Sequence, residues 1–166
     1  MSRSAPTSPL NWRSTPRASD PASVRALVRA TGVFYEGETE VAEELAEEWV
    51  ECGEASGYHF LFAEVDGVMA GYSCFGPIPL TWKRYDLYWI ATHPDWQGKG
   101  IAREILNLSE RRMRELGAVR AYVETSSRDV YLPARTLYER SLYRQEAEFR
   151  DFYNDGDHKI VYGKTL

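Results

Sequence analysis

The chain has 166 residues, enough for one domain and too few for two large ones. Apolar residues make up 43% and charged residues 27%, the balance of a globular chain rather than a disordered or fibrous one. A formal net charge of −5 argues against nucleic acid as a partner, and no apolar run approaches the ~18 residues of a membrane span.

Residues 1 to 12 have no hydrophobic segment of a secretory signal. Cys52 and Cys74 are too few for a disulfide scaffold and read as free buried thiols. His59, His93 and His158 are scattered, with no metal-ligand spacing. The expectation is a cytoplasmic protein with no metal and no membrane partner.

Four of the eight prolines fall before residue 22, so residues 1–10 read as a flexible arm and residues 11–166 as a single domain. Asn11 to Thr15 suits a short strand. Asp20 before Pro21 marks a helix start, with Val24, Leu27, Val28 and Thr31 on one face and Gly32 at its end. A second helix is expected over residues 38–52 with Val41, Leu45, Trp49 and Cys52 as its apolar stripe. Nine glutamates and no Lys or Arg lie between Glu36 and Glu54.

Strands over 58–65 and 68–75 flank Asp66-Gly67, a hairpin signal because both turn positions need positive φ. Residues 85–92 read as a buried central strand. A helix over about 98–116 carries Ala102, Ile105, Leu106, Ser109, Met113 and Leu116 on one face, with Gly117 just past its end. A strand over 119–125, a helix over 133–141 and strands over 145–153 and 159–166 complete the order β-α-α-β-β-β-α-β-α-β-β. This is a mixed α/β (α+β) domain.

The chemistry concentrates in Ile90–Ala102, IATHPDWQGKGIA. A strand runs into Gln97-Gly98-Lys99-Gly100, which opens a helix. First-turn N–H groups of a helix lack internal partners, and glycines permit close approach, so the turn is a candidate anion cradle suited to a pyrophosphate. A P-loop is excluded because Ile101 follows Gly100 where Lys is required. A dinucleotide fingerprint lacks its third glycine, since Arg103 stands there. The bland alternative is a tight strand-to-helix turn and nothing more.

The segment resembles the signature [QR]-x-x-G-x-[GA] of the GNAT superfamily of acetyl-CoA-dependent acyltransferases, met here by Gln97-Gly98-Lys99-Gly100-Ile101-Ala102. A second family block, A-x-x-x-Y-x-x-x-G-[FY], is met by Ala134 through Tyr143, with Tyr138 at the tyrosine and Leu142 in place of the glycine. Tyr131 stands where many relatives place an asparagine, and Thr92 where valine is usual. The resemblance covers about residues 12–166 and implies a GNAT-like, mostly antiparallel central sheet flanked by helices.

It further implies acetyl transfer from acetyl-CoA to a primary amine of a small molecule or peptide. Gln97, Gly98, Lys99, Gly100, Ile101 and Ala102 would hold the pyrophosphate, backbone groups of Ile90 and Thr92 would meet the pantetheine arm, and Tyr131 occupies a cofactor-binding position. Tyr138 matches the general acid. Asp86, Tyr88 and Glu124 are base candidates of equal standing.

The acidic second helix would border the acceptor and could concentrate a cationic amine, or it is an ordinary solvated face. Trp82, Lys83 and Arg84 could edge the acceptor pocket. His93 reads as solvated. The alternative function is a non-catalytic acyl-CoA-binding sensor or interaction module. A homodimer stays open.

Overall fold

Residues 9–166 are described in a computed structural model, so the expected arm lies, up to residue 8, outside the described residues. The strands are β1 (Asn11–Arg13), β2 (His59–Val65), β3 (Val68–Pro77), β4 (Arg84–Thr92), β5 (Arg120–Ser126), β6 (Arg144–Asn154) and β7 (Asp157–Thr165). The helices are α1 (Asp20–Thr31), α2 (Glu36–Cys52), α3 (Ile101–Glu115) and α4 (Leu132–Arg140). Their order along the chain is the expected one.

The seven strands form one sheet in the order β1-β2-β3-β4-β5-β7-β6. Every pairing is antiparallel except β4 with β5. The β2–β3 turn has positive φ at both Asp66 (51°) and Gly67 (76°), which is the backbone that the dipeptide predicts.

Side-chain alternation along β2 sends Phe60 and Phe62 to one face and Ala63 and Val65 to the other. The first face is covered by α1 and α2, through Val24, Leu27, Val28 and Trp49. The second is covered by α3, through Ile101 and Ile105 against Ala63 and Ala70. A third cluster joins Leu106 and Met113 of α3 to Leu87, Val123, Tyr138 and Tyr162, tying α4 and β7 to the sheet. The close seat of α3 needs Gly71, where a Cβ would stand 2.8 Å from Ile105 Cδ1 and 3.0 Å from the Ala91 carbonyl oxygen.

Several expectations are corrected. The buried stripe of α2 is Thr39, Ala42, Ala46 and Trp49, with Leu45 at its margin, while Val41 and Cys52 are exposed. Small residues let α2 approach its neighbours, so the packed face follows Ala42 and Ala46 rather than the larger apolar side chains. Of the two thiols, Cys74 alone is buried.

Asp20 is the first residue of α1 rather than its N-cap, which is Ser19. Its carboxylate instead binds Arg13, at 2.7 Å, and accepts the Arg17 N–H. Arg13 also reaches Glu64 at 2.8 Å. This buried ion cluster fastens β1, α1 and β2. Finally, α3 begins at Ile101, because Gly98 (φ 74°) and Gly100 (φ 80°) are left-handed and non-helical.

Candidate active site

The site exists because the sheet splits. Parallel pairing between β4 and β5 joins Arg84–Asp86 to Arg120–Tyr122 and stops. At that point β4 carries a bulge: Phe75 pairs with Leu87 and Cys74 with Trp89, leaving Tyr88 as the extra residue. Beyond it, Leu87–Thr92 and Val123–Ser126 form opposite walls of a cleft of about 940 Å³. The start of α3, the α1–α2 connection, α4, and Tyr153 and Asp157 of the β6–β7 hairpin complete the lining.

The open edge of β4 is polar backbone. The His93 N–H donates to the Ala70 carbonyl on β3, so odd-numbered residues near the end of β4 turn their backbone groups toward β3. By alternation Ile90 and Thr92 turn theirs toward the cleft. The Thr92 carbonyl accepts Gln97 Nε2 at 3.1 Å, which makes Gln97 a brace for the glycine turn. Thr92 lines the same cleft, and its buried hydroxyl has no hydrogen-bond partner among the described residues.

Gln97, Gly98, Gly100, Ile101 and Ala102 all line the cleft, and Arg103 joins them. A Cβ built on Gly98 or Gly100 would meet open space, so what these positions require of glycine is the left-handed backbone. That backbone aims the uncapped N-terminus of α3, whose N-cap Gly100 supplies no side chain, into the cavity. An anionic group fits this end. Lys99 is not part of the lining. Its ammonium packs 4.6 Å over the Trp96 ring.

Tyr138 and Tyr131 both line the cleft. Burial, then the neighbouring Tyr131 and Tyr162, pushes the Tyr138 phenol far up, so it stays protonated. Burial also lifts Tyr131 to about 12. Its ring stands 6.0 Å from Phe34, which lies 4.9 Å from Trp89. Of the base candidates, Glu124 and Tyr88 line the cleft and Asp86 does not. Tyr88 is pushed up to about 12, chiefly by burial and then by Asp86, which makes it a proton donor at neutral pH. Asp86 rises to about 6 through burial, then Glu124, against the opposing charge of Lys159. Glu124 is held by Lys159 Nζ at 2.8 Å.

Trp82, Lys83 and Arg84 lie off the cleft, the two cations standing 4.8 and 5.8 Å over the exposed indole. The His93 ring is half-exposed and Nδ1 accepts the Asp95 N–H, closing the turn after β4. Of the nine glutamates between Glu36 and Glu54, Glu38 alone lines the cleft. Others are drawn off by cations: Glu36 by Arg25 and Arg29, Glu43 by Arg25, Glu54 by Arg112. One residue of this acidic run thus reaches the site, and three others are ion-paired away from it.

Sequence reasoning missed a cluster at the other end. Arg128, in the β5–α4 loop, lies with its guanidinium carbon 4.9 Å over Tyr35 and 5.3 Å over Tyr131. Asp157 stands 3.3 Å from Arg128 Nε and accepts the Ser126 hydroxyl. Tyr153, lifted to about 12 by burial, also feels Glu124, Asp157 and Glu38, so these three carboxylates face one space. The sequence offers only a faint signal, Ser-Ser-Arg between a strand and a helix.

Residues 23–142 match the Acetyltransferase (GNAT) family. Among solved structures, a GNAT-family protein from Desulfovibrio desulfuricans is 41% identical, with TM-score 0.92 over 95% of this chain and 99% of that one. YncA from Salmonella typhimurium, solved with its cofactor acetyl-CoA, shares the fold at 19% identity and TM-score 0.76, over 95% and 94% of the two chains. The L-amino acid N-acyltransferase MnaT of Escherichia coli is 33% identical over 75 residues, 42% of this chain and 41% of that protein. The matched stretch thus spans less than half of that curated relative. With the split sheet, the glycine turn and a family match over most of its length, the chain belongs to the GNAT acetyltransferase family.

Proposed function

We propose that residues 11–166 form a single acetyl-CoA-dependent N-acetyltransferase domain acting on a primary amine of a small molecule or peptide in the cytoplasm. The observation that carries this reading is the meeting, in one cleft, of the split β4 and β5 edges, the left-handed Gly98/Gly100 turn and Tyr138. The relatives' acyltransferase names support it. When bound, acetyl-CoA supplies an acetyl group activated as a thioester.

The N-terminal turn of α3 holds the pyrophosphate, with Arg103 beside it. Backbone groups of Ile90 and Thr92 orient the rest of the cofactor and polarise the carbonyl oxygen, the kind of preorganised contact that dominates such catalysis. The acceptor nitrogen forms the new C–N bond as the C–S bond breaks. The amine's proton passes to a carboxylate, and Glu124 is the candidate that lines the cleft. Tyr138, neutral because it is buried, donates a proton to the leaving sulfur.

The test is release of free thiol from acetyl-CoA across an amine panel. Tyr138→Phe is expected to lower kcat by about 10²–10⁴-fold while leaving the acetyl-CoA Kd within a few-fold. Equal turnover would remove Tyr138 from the acid role. Cofactor binding with no acceptor in the panel would favour a non-catalytic acyl-CoA module.

A further inference from the structure

The charges at the acceptor end of the cleft do not cancel in place. Glu38 accepts the Tyr35 N–H at 2.8 Å, Glu124 is paired with Lys159, and Asp157 holds the Ser126 hydroxyl and the Nε edge of Arg128. Each carboxylate there is engaged. Arg128 is ion-paired with Asp157 through Nε and lies within hydrogen-bonding reach of the Tyr131 hydroxyl. Its Nε is buried, while the side chain as a whole keeps 31% of its exposure and lines the cleft.

The guanidinium fork of Arg128 sits between two rings. Tyr35 and Tyr131 clasp it from the α1–α2 connection and from the turn before α4. Arg135 donates to the backbone carbonyls of Ser126 and Arg128, fixing the loop that carries it. A planar, partly desolvated guanidinium fork matches a carboxylate in two-point geometry. Phe34, Trp89 and Val130 give the same cleft an apolar stretch of lining.

We infer that Arg128 is an acceptor-recognition residue that binds a carboxylate on the amine substrate, so that the preferred acceptor is an amino acid with an apolar side chain. This rests on the transferase reading above and adds the substrate class. Tyr35 acts as a positioning residue for the guanidinium, and Tyr131, at the position that the family resemblance gives to the cofactor, packs on it as well. Nothing in the inference assigns Arg128 to the cofactor, whose anionic end belongs at the glycine turn on a different element.

The experiment compares kcat/KM for L-methionine, L-leucine and L-phenylalanine with their carboxamides and with the amines lacking the carboxyl group. In the wild-type protein the free acids should be preferred by about 10- to 100-fold, the range of a two-point charge-assisted contact. Arg128→Gln should collapse that ratio to a few-fold, through KM more than kcat, and Arg128→Lys should restore part of it. The acetyl-CoA Kd, unchanged in both variants, shows that they are folded.

Acetylation of the carboxamides and simple amines as fast as the acids would overturn the inference and leave the transferase reading standing. Loss of acetyl-CoA binding in Arg128→Gln alone, with a normal thermal transition, would overturn it by placing Arg128 on the cofactor. If no amine is acetylated, the transferase reading fails. Binding of L-phenylalanine to the CoA complex then decides: saturable binding lost in Arg128→Gln supports the carboxylate site, and no binding rejects it.

Discussion

At the residue scale, environment rather than residue type separates the three base candidates. Tyr88 and Asp86 differ in what burial does to them: a phenol lifted to about 12 is locked in its neutral form, while a carboxyl lifted to about 6 titrates near neutrality. Asp86 carries a stability signature that can be checked without any substrate. Its pKa is higher in the folded chain than its ordinary value of 3.8, so the folded state holds the proton more tightly than the unfolded state. That contribution is present below about pH 4 and is lost as pH rises through about 6. Asp86→Asn should therefore match the wild type in thermal midpoint near pH 4 and exceed it near pH 8. A wild-type advantage at pH 8 would mean that the ionised Asp86 is needed for folding. None of this was legible in the sequence, where Asp86, Tyr88 and Glu124 look alike because partners such as Lys159 arrive from a distant strand.

At the element scale, local rules explain what was legible. The Asp66-Gly67 turn and the amphipathic face of α3 are properties of neighbouring residues, so periodicity and turn chemistry reach them. The face of α2 departs from the expected stripe because residue type points to Val41 and Cys52, whereas the packed face is selected by the small Ala42 and Ala46. The end of α4 falls between these cases. The family pattern places glycine where this chain has Leu142, and the backbone there is left-handed at φ 69°. Tyr143 N–H nevertheless closes the helix on the Tyr138 carbonyl at 3.0 Å, and Leu142 itself is 77% exposed. The strain of a branched side chain in this conformation is about 1–2 kcal/mol. Glycine's larger unfolded-state entropy offsets about 0.4–1 kcal/mol. Leu142→Gly should thus stabilise the protein by up to about 1 kcal/mol, with no loss of packing because the side chain packs on little. Chemical denaturation reads this as a higher midpoint at unchanged slope; a lower midpoint would show that Leu142 has an apolar partner.

At the scale of the whole molecule, the split sheet decides both stability and function. β1 to β4 with α1 and α2 make one half, and β5 to β7 with α4 make the other. Three pairs of the β4–β5 ladder join them, helped by the core cluster that runs from Leu87 and Leu106 to Val123 and Tyr162. The cleft is thus the place where a long ladder has been given up, and the Thr92 hydroxyl beside it has no hydrogen-bond partner among the described residues. No pattern in the sequence announces this, because both strands look continuous; the split comes from tertiary pairing and the bulge at Tyr88. A ligand lying in the cleft touches both halves, so it should stabilise the native state by mass action and not the unfolded chain. At 100 times its Kd, CoA would add about 2.7 kcal/mol. For a domain of this length that is a rise of about 5–10 °C in thermal midpoint. Gly100→Val, which forces a branched side chain into a left-handed backbone, should remove most of the rise. Arg128→Gln should keep it, on the inference that Arg128 serves the acceptor. A wild-type midpoint that does not move with CoA would deny the cleft its cofactor, and a rise that survives Gly100→Val would move the anion site away from the glycine turn.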